Sequence, residues 1–433
     1  TMALVFYKRY EPSTITAYVD DKTVADIMEH EARSMLNTLG ILEHDAKMGT
    51  LSGGQKKRAA LARTLLLPSD ILILDGISSE TYAEQGMLED LSGVLKDEDI
   101  LPNIKDAYTK EDGSIYTMPV KFGIPMIEGN KDIIAGITDL TTEADAAESQ
   151  KDSYGKLKFF SSFSISPSWL IQGTIDNSTS AWMNEDGTLK EDALKEYLEQ
   201  VNRIWQTQKD AIEETKKAYQ MGDDWANSDR SGYTNIAGSI TDLLVKVNTV
   251  AAGGLLSPEG LVYLDSAKKV DPDLDYRLLN GQSENCFYPR SIVGISAKAS
   301  EKEAAEKFVK FLFEEESQRA SNDEGLAVNS KVYEDMAYWK MGKSSGDTIG
   351  SIGTSYDTGD GNIKQFVMDE IIPEDEAIQN IMDLGKTLTV PAKSNQIIRN
   401  AVTESGEKYL NGETGLDDAV KEIMQEVNLY LSE

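Results

Sequence analysis

A glycine-rich pentapeptide followed by a basic helix is the part of this chain best suited to phosphate chemistry. Residues 51–55 read Leu-Ser-Gly-Gly-Gln, and residues 56–63 read Lys-Lys-Arg-Ala-Ala-Leu-Ala-Arg. Ser52 is a suitable N-cap for a helix that continues to Leu67 and is ended by Pro68. Backbone N–H groups at a capped, glycine-rich helix start attract anions. This segment is therefore a candidate for binding the phosphates of a nucleotide.

The segment closely resembles the signature region of ABC-type ATPases, and the resemblance covers about residues 22–75. In that family the Ser and Gly amides meet the γ-phosphate of ATP across a dimer. Phosphoryl transfer also requires a phosphate-binding loop of the form Gly-x-x-x-x-Gly-Lys-Ser/Thr and a Mg²⁺ ligand. The nearest fragments, 337–344 and 380–387, lack the first glycine and follow the signature instead of preceding it. Gly76 stands after Asp75, where the family has a catalytic Glu, so we expect no ATP hydrolysis by this chain.

From about residue 70 onward the chain resembles a second family, the family 1 extracellular solute-binding proteins of ABC uptake systems. The segments that carry this resemblance, in the order and spacing of the family, are 70–76, 82–91, 115–123, 292–298, 305–318, 325–329 and 408–412 with the final helix. The resemblance implies an α/β fold of the type II periplasmic-binding-protein kind, with two lobes, a doubly wound sheet in each lobe and a hinge. It also implies a protein that is not an enzyme and that holds its solute between the lobes.

The two resemblances predict how the chain divides into lobes. Lobe 1 is predicted to comprise residues 1–122 and 290–335, and lobe 2 residues 123–289 and 336–433. Within lobe 1, residues 1–70 are atypical because they are ATPase-like and their two β-like runs have no helix between them. That spacing favours a hairpin over a right-handed crossover. A chimera, natural or introduced in cloning or sequence assembly, explains the change of family best, and misassignment of residues 1–70 is the alternative.

Hydrophobic patterning elsewhere predicts alternating strands and helices, which favours an α/β architecture. The wholly apolar run 71–74 predicts a buried strand of the parallel type, and two prolines make residues 114–125 extended. Residues 341–361 are rich in Gly, Ser and Asp and predict a loop. Apolar stripes at helical spacing predict helices over 188–208, 301–318 and 415–431.

Composition argues against several functions. The chain has 74 acidic and 43 basic residues and a net charge of −31, which disfavours nucleic acid and anionic lipid as partners. Cys286 is the single cysteine, and His30 and His44 are the two histidines, so we expect no metal site and no cofactor. The sequence shows no apolar run long enough to span a bilayer and no signal peptide at Thr1. The resemblance implies an extracellular or periplasmic monomer, anchored by lipid at the cell surface before truncation.

The family transports mostly carbohydrates, so an oligosaccharide is the favoured ligand. The implied partners are this carbohydrate, the membrane permease subunits and, indirectly, a separate ATPase subunit; an ABC-type ATPase fragment or fusion with a nucleotide-related role is the alternative. Sugar sites combine flat aromatic faces with a few polar groups. The candidate ligand-binding residues are Asp75, Gly76, Ser78, Tyr116, Phe122, Trp169, Trp182, Trp225, Tyr233, Tyr288 and Arg290. The alternatives are turn capping by Asp75, bracing of the hinge by Phe122, a structural ion pair of Arg290 and ordinary partial burial of Trp169, Trp182, Trp225 and Tyr233.

Overall fold

A computed structural model describes most of the chain from residue 70 to its end. The described residues are 70–75, 79–150, 166–184, 188–218, 236–245, 251–319, 325–357, 362–393 and 395–432. The predictions for residues 1–69, which include the signature pentapeptide at 51–55, lie outside this part of the chain.

Within the described residues the fold alternates helices with strands. The strands are β1 Ile71–Ile73, β2 Met118–Asn130, β3 Ala251–Leu256, β4 Leu274–Leu278, β5 Cys286–Ile295, β6 Leu326–Ala327, β7 Thr348–Asp357, β8 Ile363–Ile371 and β9 Val390–Pro391. The helices are α1 Ser79–Glu84, α2 Pro102–Tyr108, α3 Lys131–Ile134, α4 Leu140–Gln150, α5 Pro167–Thr174, α6 Thr179–Trp182, α7 Glu191–Ala218, α8 Ile236–Val245, α9 Pro258–Val270, α10 Lys302–Phe313, α11 Glu315–Arg319, α12 Ser330–Tyr333, α13 Met336–Trp339, α14 Asp375–Thr387, α15 Gln396–Leu410 and α16 Leu416–Ser432.

The long strand β2 connects two parts of the main sheet. Its first half pairs antiparallel with β5 and β6, and its second half pairs antiparallel with β3 and β4. The change of partner falls between Gly123, opposite Tyr288, and Ile124, opposite Leu256. A Cβ atom at Gly123 would lie 3.2 Å from the Leu255 side chain, so the crossing is tightly packed. The change occurs next to the predicted lobe boundary at residues 122 and 123, although the lobe division itself stays a prediction.

The predicted parallel character of the 71–74 strand is wrong, because β1 pairs antiparallel with β5. Its neighbour is a strand from much later in the chain, which returns in the opposite direction and places Ile71 opposite Ile295 and Ile73 opposite Val293. The expected burial holds for Leu72, which is 3% exposed, but Ile73 is 59% exposed. Among the described residues no strand pairs with the other edge of β1.

The prediction of a loop over 341–361 is also wrong, because β7 and β8 form an antiparallel hairpin. The Gly- and Ser-rich strand β7 has few apolar side chains of its own. Its partner supplies them: Met368 is buried and Phe366 packs against the same core. The hairpin lies on α8 and α9, and Ile371 N–H donates a hydrogen bond to Ser266 Oγ at 2.8 Å.

The three predicted helices are present with shifted bounds. The helix predicted over 188–208 is longer and continues to Ala218, and the C-terminal helix is shifted by one residue. The helix predicted over 301–318 is divided into α10 and α11, since Glu314 between them has an extended backbone with ψ 150°. Among the described residues no helix is both long and apolar enough to cross a bilayer.

Two hydrophobic cores lie on opposite faces of β2. Met118, Phe122, Ile124 and Met126 point into the larger core, whereas Ile127 points into the second. Successive side chains of a strand face opposite sides, so this single strand contributes to both cores. The second core is closed by helices α4, α5, α7, α15 and α16, which pack on one another.

Candidate ligand-binding site

The first group of candidate ligand-binding residues is formed where β1 ends beside β5. Leu74 N–H donates a hydrogen bond to the Ile292 carbonyl at 2.8 Å. The Asp75 carboxylate then accepts hydrogen bonds from Ile292 N–H at 2.8 Å and from Ser291 N–H at 3.1 Å. Ser291 has a left-handed backbone with φ 54°, a conformation that non-glycine residues adopt only with support. Asp75 therefore holds a bend in β5 immediately after Arg290.

The Asp75 carboxylate keeps hydrogen-bonding capacity for a ligand. The surrounding chain partly desolvates it and raises its pKa, while the two N–H donors and the charge of Arg290 act in the opposite direction. A carboxylate offers about four lone-pair sites, of which two accept from the β5 backbone. Asp75 is exposed, and so is the neighbouring Arg290, whose guanidinium carries several donors. Turn capping by Asp75 is thus compatible with a ligand contact.

A second group of candidate residues surrounds the segment that follows α6. The described residues on either side of 185–187 pair with each other: Met183 forms a bridge to Leu189, and Lys190 N–H donates to the Trp182 carbonyl at 2.7 Å. Opposite this segment, β9 lies parallel to the start of β5. Ser180 Oγ donates a hydrogen bond to the Pro391 carbonyl at 3.0 Å, which joins the two walls at one end.

An open cavity of about 760 Å³ lies between these walls. Its volume is within the range of about 300–1,000 Å³ that is typical of small-molecule sites. The lining combines apolar surface with hydroxyl, amide and ammonium groups: Ser180, Met183, Asn184, Lys190, Val390, Pro391 and Lys393. Such a mixture suits a ligand with both C–H faces and hydroxyl groups, as a sugar has.

A buried ion pair fixes the helices behind the cavity. Arg399, in the first turn of α15, is paired with Asp176, which follows α5. The two side chains are 12% and 6% exposed, so both charges are largely removed from water. Asn395 caps α15 and accepts a hydrogen bond from Ile397 N–H at 3.0 Å. The α5–α6 turn and the residues after β9 are thereby held together by charge as well as by packing.

The two groups of candidate residues lie along the same strand. β9 pairs with Cys286 and Phe287 at the start of β5, and Arg290 follows three residues later. At roughly 3.3 Å of rise per residue, the separation along β5 is about 10 Å. Asp75 and Arg290 therefore lie at the middle of a crossing strand whose first residues carry a wall of the cavity.

Two predicted aromatic residues lie in hydrophobic cores, and we correct their assignment. Phe122 is fully buried between Phe287, with ring centroids 6.2 Å apart, and Tyr333, at 5.7 Å. It shares the inward row of β2 with Met118 and Ile124, which agrees with the interpretation of Phe122 as a hinge brace. Trp182 is fully buried in the second core, 5.9 Å from the Tyr197 ring. Neither side chain is available to a ligand in this conformation.

Tyr116 and Tyr288 are also not grouped with Asp75. The Tyr116 carbonyl lies beside Gly294, three residues beyond the bend at Ser291, and its ring is 5.4 Å from the Lys110 ammonium. That offset places Tyr116 roughly 10 Å farther along β5 than the Asp75 contact. Tyr288 is 5% exposed and packs with Cys286 in a small cluster near the crossing.

Trp169 is the described tryptophan candidate that is only partly buried. It stands in the first turn of α5, where Ser166 caps the helix by accepting from Trp169 N–H at 3.2 Å. Nothing in the described geometry brings its ring to Asp75 or to the cavity, so its role stays a prediction. The remaining candidates, Gly76, Ser78, Trp225 and Tyr233, lie outside the described residues and also stay predictions.

The cavity lining was missed at the sequence level. Lys190 and Lys393 belong to no motif, and the three-dimensional pairing of β9 with β5 is what brings them to one cavity. The polar stretch around Trp182 is a usable signal, because Ser180, Met183 and Asn184 on either side of it line the cavity. The tryptophan itself turns inward. No group of three or more His, Cys, Asp or Glu side chains in the described part of the chain is placed to hold a metal ion.

The described fold is that of the two-lobed, type II solute-binding proteins. The structure is similar to an ABC transporter solute-binding protein from Agrobacterium vitis with bound D-mannitol: 14% identity, a TM-score of 0.52, and coverage of 87% of this chain and 88% of that chain. A cyclic α-maltosyl-1,6-maltose binding protein from Arthrobacter globiformis is 16% identical, has a TM-score of 0.48, and covers 95% of this chain and 96% of its own.

A family model for the bacterial extracellular solute-binding proteins matches residues 49–319, which is more than half of the chain. The protein therefore belongs to that family, as the resemblance from about residue 70 onward predicted. Members of that family bind solutes outside the cytoplasm.

The N-terminal region matches a different component of ABC systems, the ATPase. A family model for the ABC transporter ATPases matches residues 4–79. The uncharacterized ATP-binding protein YfmR of Bacillus subtilis is 35% identical over 96 residues, and the zinc transport ATP-binding protein AdcC of Streptococcus pneumoniae is 44% identical over 48 residues. These matches span 15% and 20% of the two relatives. The two family matches overlap at 49–79, which confirms the predicted change of family around β1.

Proposed function

We propose that this protein captures a carbohydrate, with an oligosaccharide as the favoured case, and delivers it to the permease subunits of an ABC importer. The observation that carries this proposal is the alignment of two polar groups along β5. Asp75 and Arg290 form one group, and the cavity beside β9 forms the other. D-mannitol in the Agrobacterium vitis relative makes a polyhydroxylated ligand the first class to test.

The chemistry of the two groups suits hydroxyl-rich ligands. The Asp75 carboxylate accepts hydrogen bonds, and the Arg290 guanidinium donates them, so the pair can bind neighbouring hydroxyl groups. In the cavity, Val390, Pro391 and Met183 offer apolar surface for the C–H face of a sugar ring. Family members of this kind make and break no bonds in their solute. We propose the same for this chain.

We further propose that the lobes close around the crossing at Gly123, where β2 changes its partners. The predicted lobes, 1–122 with 290–335 and 123–289 with 336–433, meet at this point. Hinge residues absorb backbone rotation at element junctions, and a long strand shared by two sheet portions is such a junction. A monomer anchored by lipid to the outer cell surface remains our expectation from the family resemblance alone.

A thermal-shift and calorimetric screen of neutral oligosaccharides tests the proposed function. A saturating ligand raises the midpoint of unfolding because it binds only the folded state. We expect at least one sugar to do so, and we expect Asp75→Ala and Arg290→Ala to weaken that shift. Lys343→Gln, an exposed substitution outside both groups, serves as the control.

The second candidate function is a nucleotide-related role of the N-terminal region. The match of residues 4–79 to the ABC transporter ATPases favours it. The same screen separates the two functions when Mg²⁺-ATP is included. Stabilisation by Mg²⁺-ATP with no response to any sugar would reverse our choice.

A further inference from the structure

The cavity beside β9 contains two ammonium groups that form no ion pair with a carboxylate among the described residues. Lys190 Nζ donates a hydrogen bond to the Ala181 carbonyl at 3.2 Å and forms no ion pair with a described residue. Lys393 forms neither a hydrogen bond nor an ion pair with the described part of the chain. Other lysines here do find carboxylates: Lys195 is 2.8 Å from Asp417 and Lys302 is 2.6 Å from Glu89.

This arrangement is unusual in a chain with a net charge of −31. With 74 acidic residues available, the seven described residues that line the cavity include no Asp or Glu. Two like charges that share a cavity repel each other, and an anion placed between them relieves that repulsion. The described lining of the cavity is therefore cationic on an acidic protein.

The remaining lining indicates that the anion is part of a larger ligand. Val390, Pro391 and Met183 supply apolar surface, which a small inorganic ion does not use. Asn184 Nδ2 donates to Thr188 Oγ1 at 2.9 Å, so the amide oxygen of Asn184 is left as an acceptor for a hydroxyl group. A volume of about 760 Å³ also exceeds what one small anion needs.

We propose that this cavity is a subsite for a negatively charged substituent, a carboxylate or a sulfate, on the bound glycan. The inference rests on the proposed carbohydrate-binding function and adds the charge of the ligand to it. Lys190 and Lys393 form charge-assisted hydrogen bonds to the anionic group, and the apolar wall receives the ring that carries it. The substituent then lies about 10 Å along β5 from Arg290.

Calorimetric titration with matched acid and neutral ligands tests this subsite. Trigalacturonate is compared with its methyl ester, which keeps the sugar and removes the charge, and a sulfated disaccharide is compared with its unsulfated form. We expect the charged member of at least one pair to bind about tenfold tighter or more, since charge-assisted hydrogen bonds are stronger than neutral ones. The acid-to-ester pair reports a carboxylate ligand, and the sulfate pair reports a sulfated one.

Variants assign the effect to the two lysines. Lys393→Gln and Lys190→Gln should each lower affinity for the charged ligand about tenfold more than affinity for the neutral one. Lys343→Gln is the matched control, because it removes the same charge from an exposed position outside the cavity. Raising the salt concentration from about 50 to about 500 mM should narrow the difference between charged and neutral ligands. Thermal unfolding of each variant verifies that it is folded.

Four outcomes would overturn the inference. Equal binding of charged and neutral sugars would end it while the proposed function stands, whereas no binding of any sugar would end both. Inorganic sulfate binding as tightly as the charged sugar would define an anion site only. Glu185 and Asp186 connect Asn184 to Thr188 outside the described residues; a preference for the charged ligand that arises only in a Glu185→Gln, Asp186→Asn variant would show that the lysines are neutralised in the native chain.

Discussion

The two groups of candidate residues are supported very differently. The cavity wall of Ser180 and Met183 is backed by the second core and by the buried pair of Arg399 with Asp176. The Asp75 group stands at the end of a three-residue strand whose outer face leaves Ile73 59% exposed. Both groups contact the same strand β5, so the difference lies in what supports each of them from behind.

This difference coincides with the change of family along the chain. Everything that supports the cavity lies after residue 125, well beyond the ATPase match, which ends at residue 79. β1 lies inside the overlap of the two family matches, and its all-apolar sequence is typical of a strand covered on both faces. In the described structure β5 pairs with one edge of β1, and the Ile73 side chain on the outer face of β1 is exposed. The Asp75 group is therefore the less supported half of the candidate site.

Removing the buried ion pair should break the better supported half. Asp176→Ala leaves Arg399 charged and buried, so we expect a loss of roughly 3–5 kcal/mol in the free energy of unfolding, measured by urea denaturation. Lys408→Ala is the control, since its pair with Glu422 is about half exposed and its removal should change the free energy of unfolding far less. Similar losses of unfolding free energy in the two variants would contradict the stronger support of the cavity group.

The better supported half should also respond to pH through Glu143 on α4. Burial raises the pKa of Glu143 to about 7 from the ordinary 4.5. The carboxyl is protonated in both states below pH 4.5, and the folded chain loses stability as pH rises from about 4.5 to about 7, by roughly 3 kcal/mol in total. Glu143→Gln should remove this loss. Urea denaturation from pH 5 to pH 8 measures it, and parallel pH profiles of variant and parent would refute the assignment.

Asp75→Ala tests the less supported half. Two backbone N–H groups lose their acceptor and the bend at Ser291 loses its support, at an expected cost of about 1–2 kcal/mol in thermal unfolding. Asp75→Asn keeps one acceptor oxygen and should recover part of the loss. In the same samples, sugar affinity should fall more with Ala than with Asn. Unchanged stability and unchanged affinity in both variants would remove Asp75 from the site.

The smallest effect is expected at the open face of β1. Ile73→Lys should change the free energy of unfolding by about 0.5 kcal/mol or less, because the side chain is already exposed. Leu72→Ala is the matched control on the inner face, and its 3% exposure predicts a loss of roughly 2–5 kcal/mol. A large cost for Ile73→Lys would show that the outer face of β1 is covered, and the contrast between the two halves would weaken.

Much of the fold was readable from local pattern. The helices over 191–218 and 416–432 follow apolar stripes that the sequence displays directly, and the prolines of 114–125 fall in or before β2. The pairing of strands was harder to predict from the sequence. The direction of β1 depends on β5, more than 200 residues later, and the strand character of β7 depends on apolar residues of β8. Neither dependence leaves a periodic signal within the strand itself.

The candidate site shows the same division. Asp75 was predicted from its position at a strand end and Arg290 from its position before the second crossing, and their closeness at the bend of β5 became visible only in the structure. Phe122 and Trp182 have the right chemistry for sugar stacking, yet alternation along β2 and packing against Tyr197 turn them inward. Composition alone does not separate an aromatic ring in a core from one in a cleft, because both environments favour the same apolar surface.

The amino-acid sequence by itself determined the family, the change from ATPase-like to solute-binding sequence near β1, and the absence of the usual nucleotide loop beside the signature pentapeptide. Those properties reside in order and spacing, which a single chain displays. Tertiary structure alone decided which side chains meet. β5 lies against β1, β2 and β9, and hydrogen-bond register therefore joins Asp75 to Ser291 and brings Lys190 and Lys393 to one cavity. Register is the alignment of residues between two paired strands. Because those strands come from distant segments of the chain, packing sets the register and no local run of residues does.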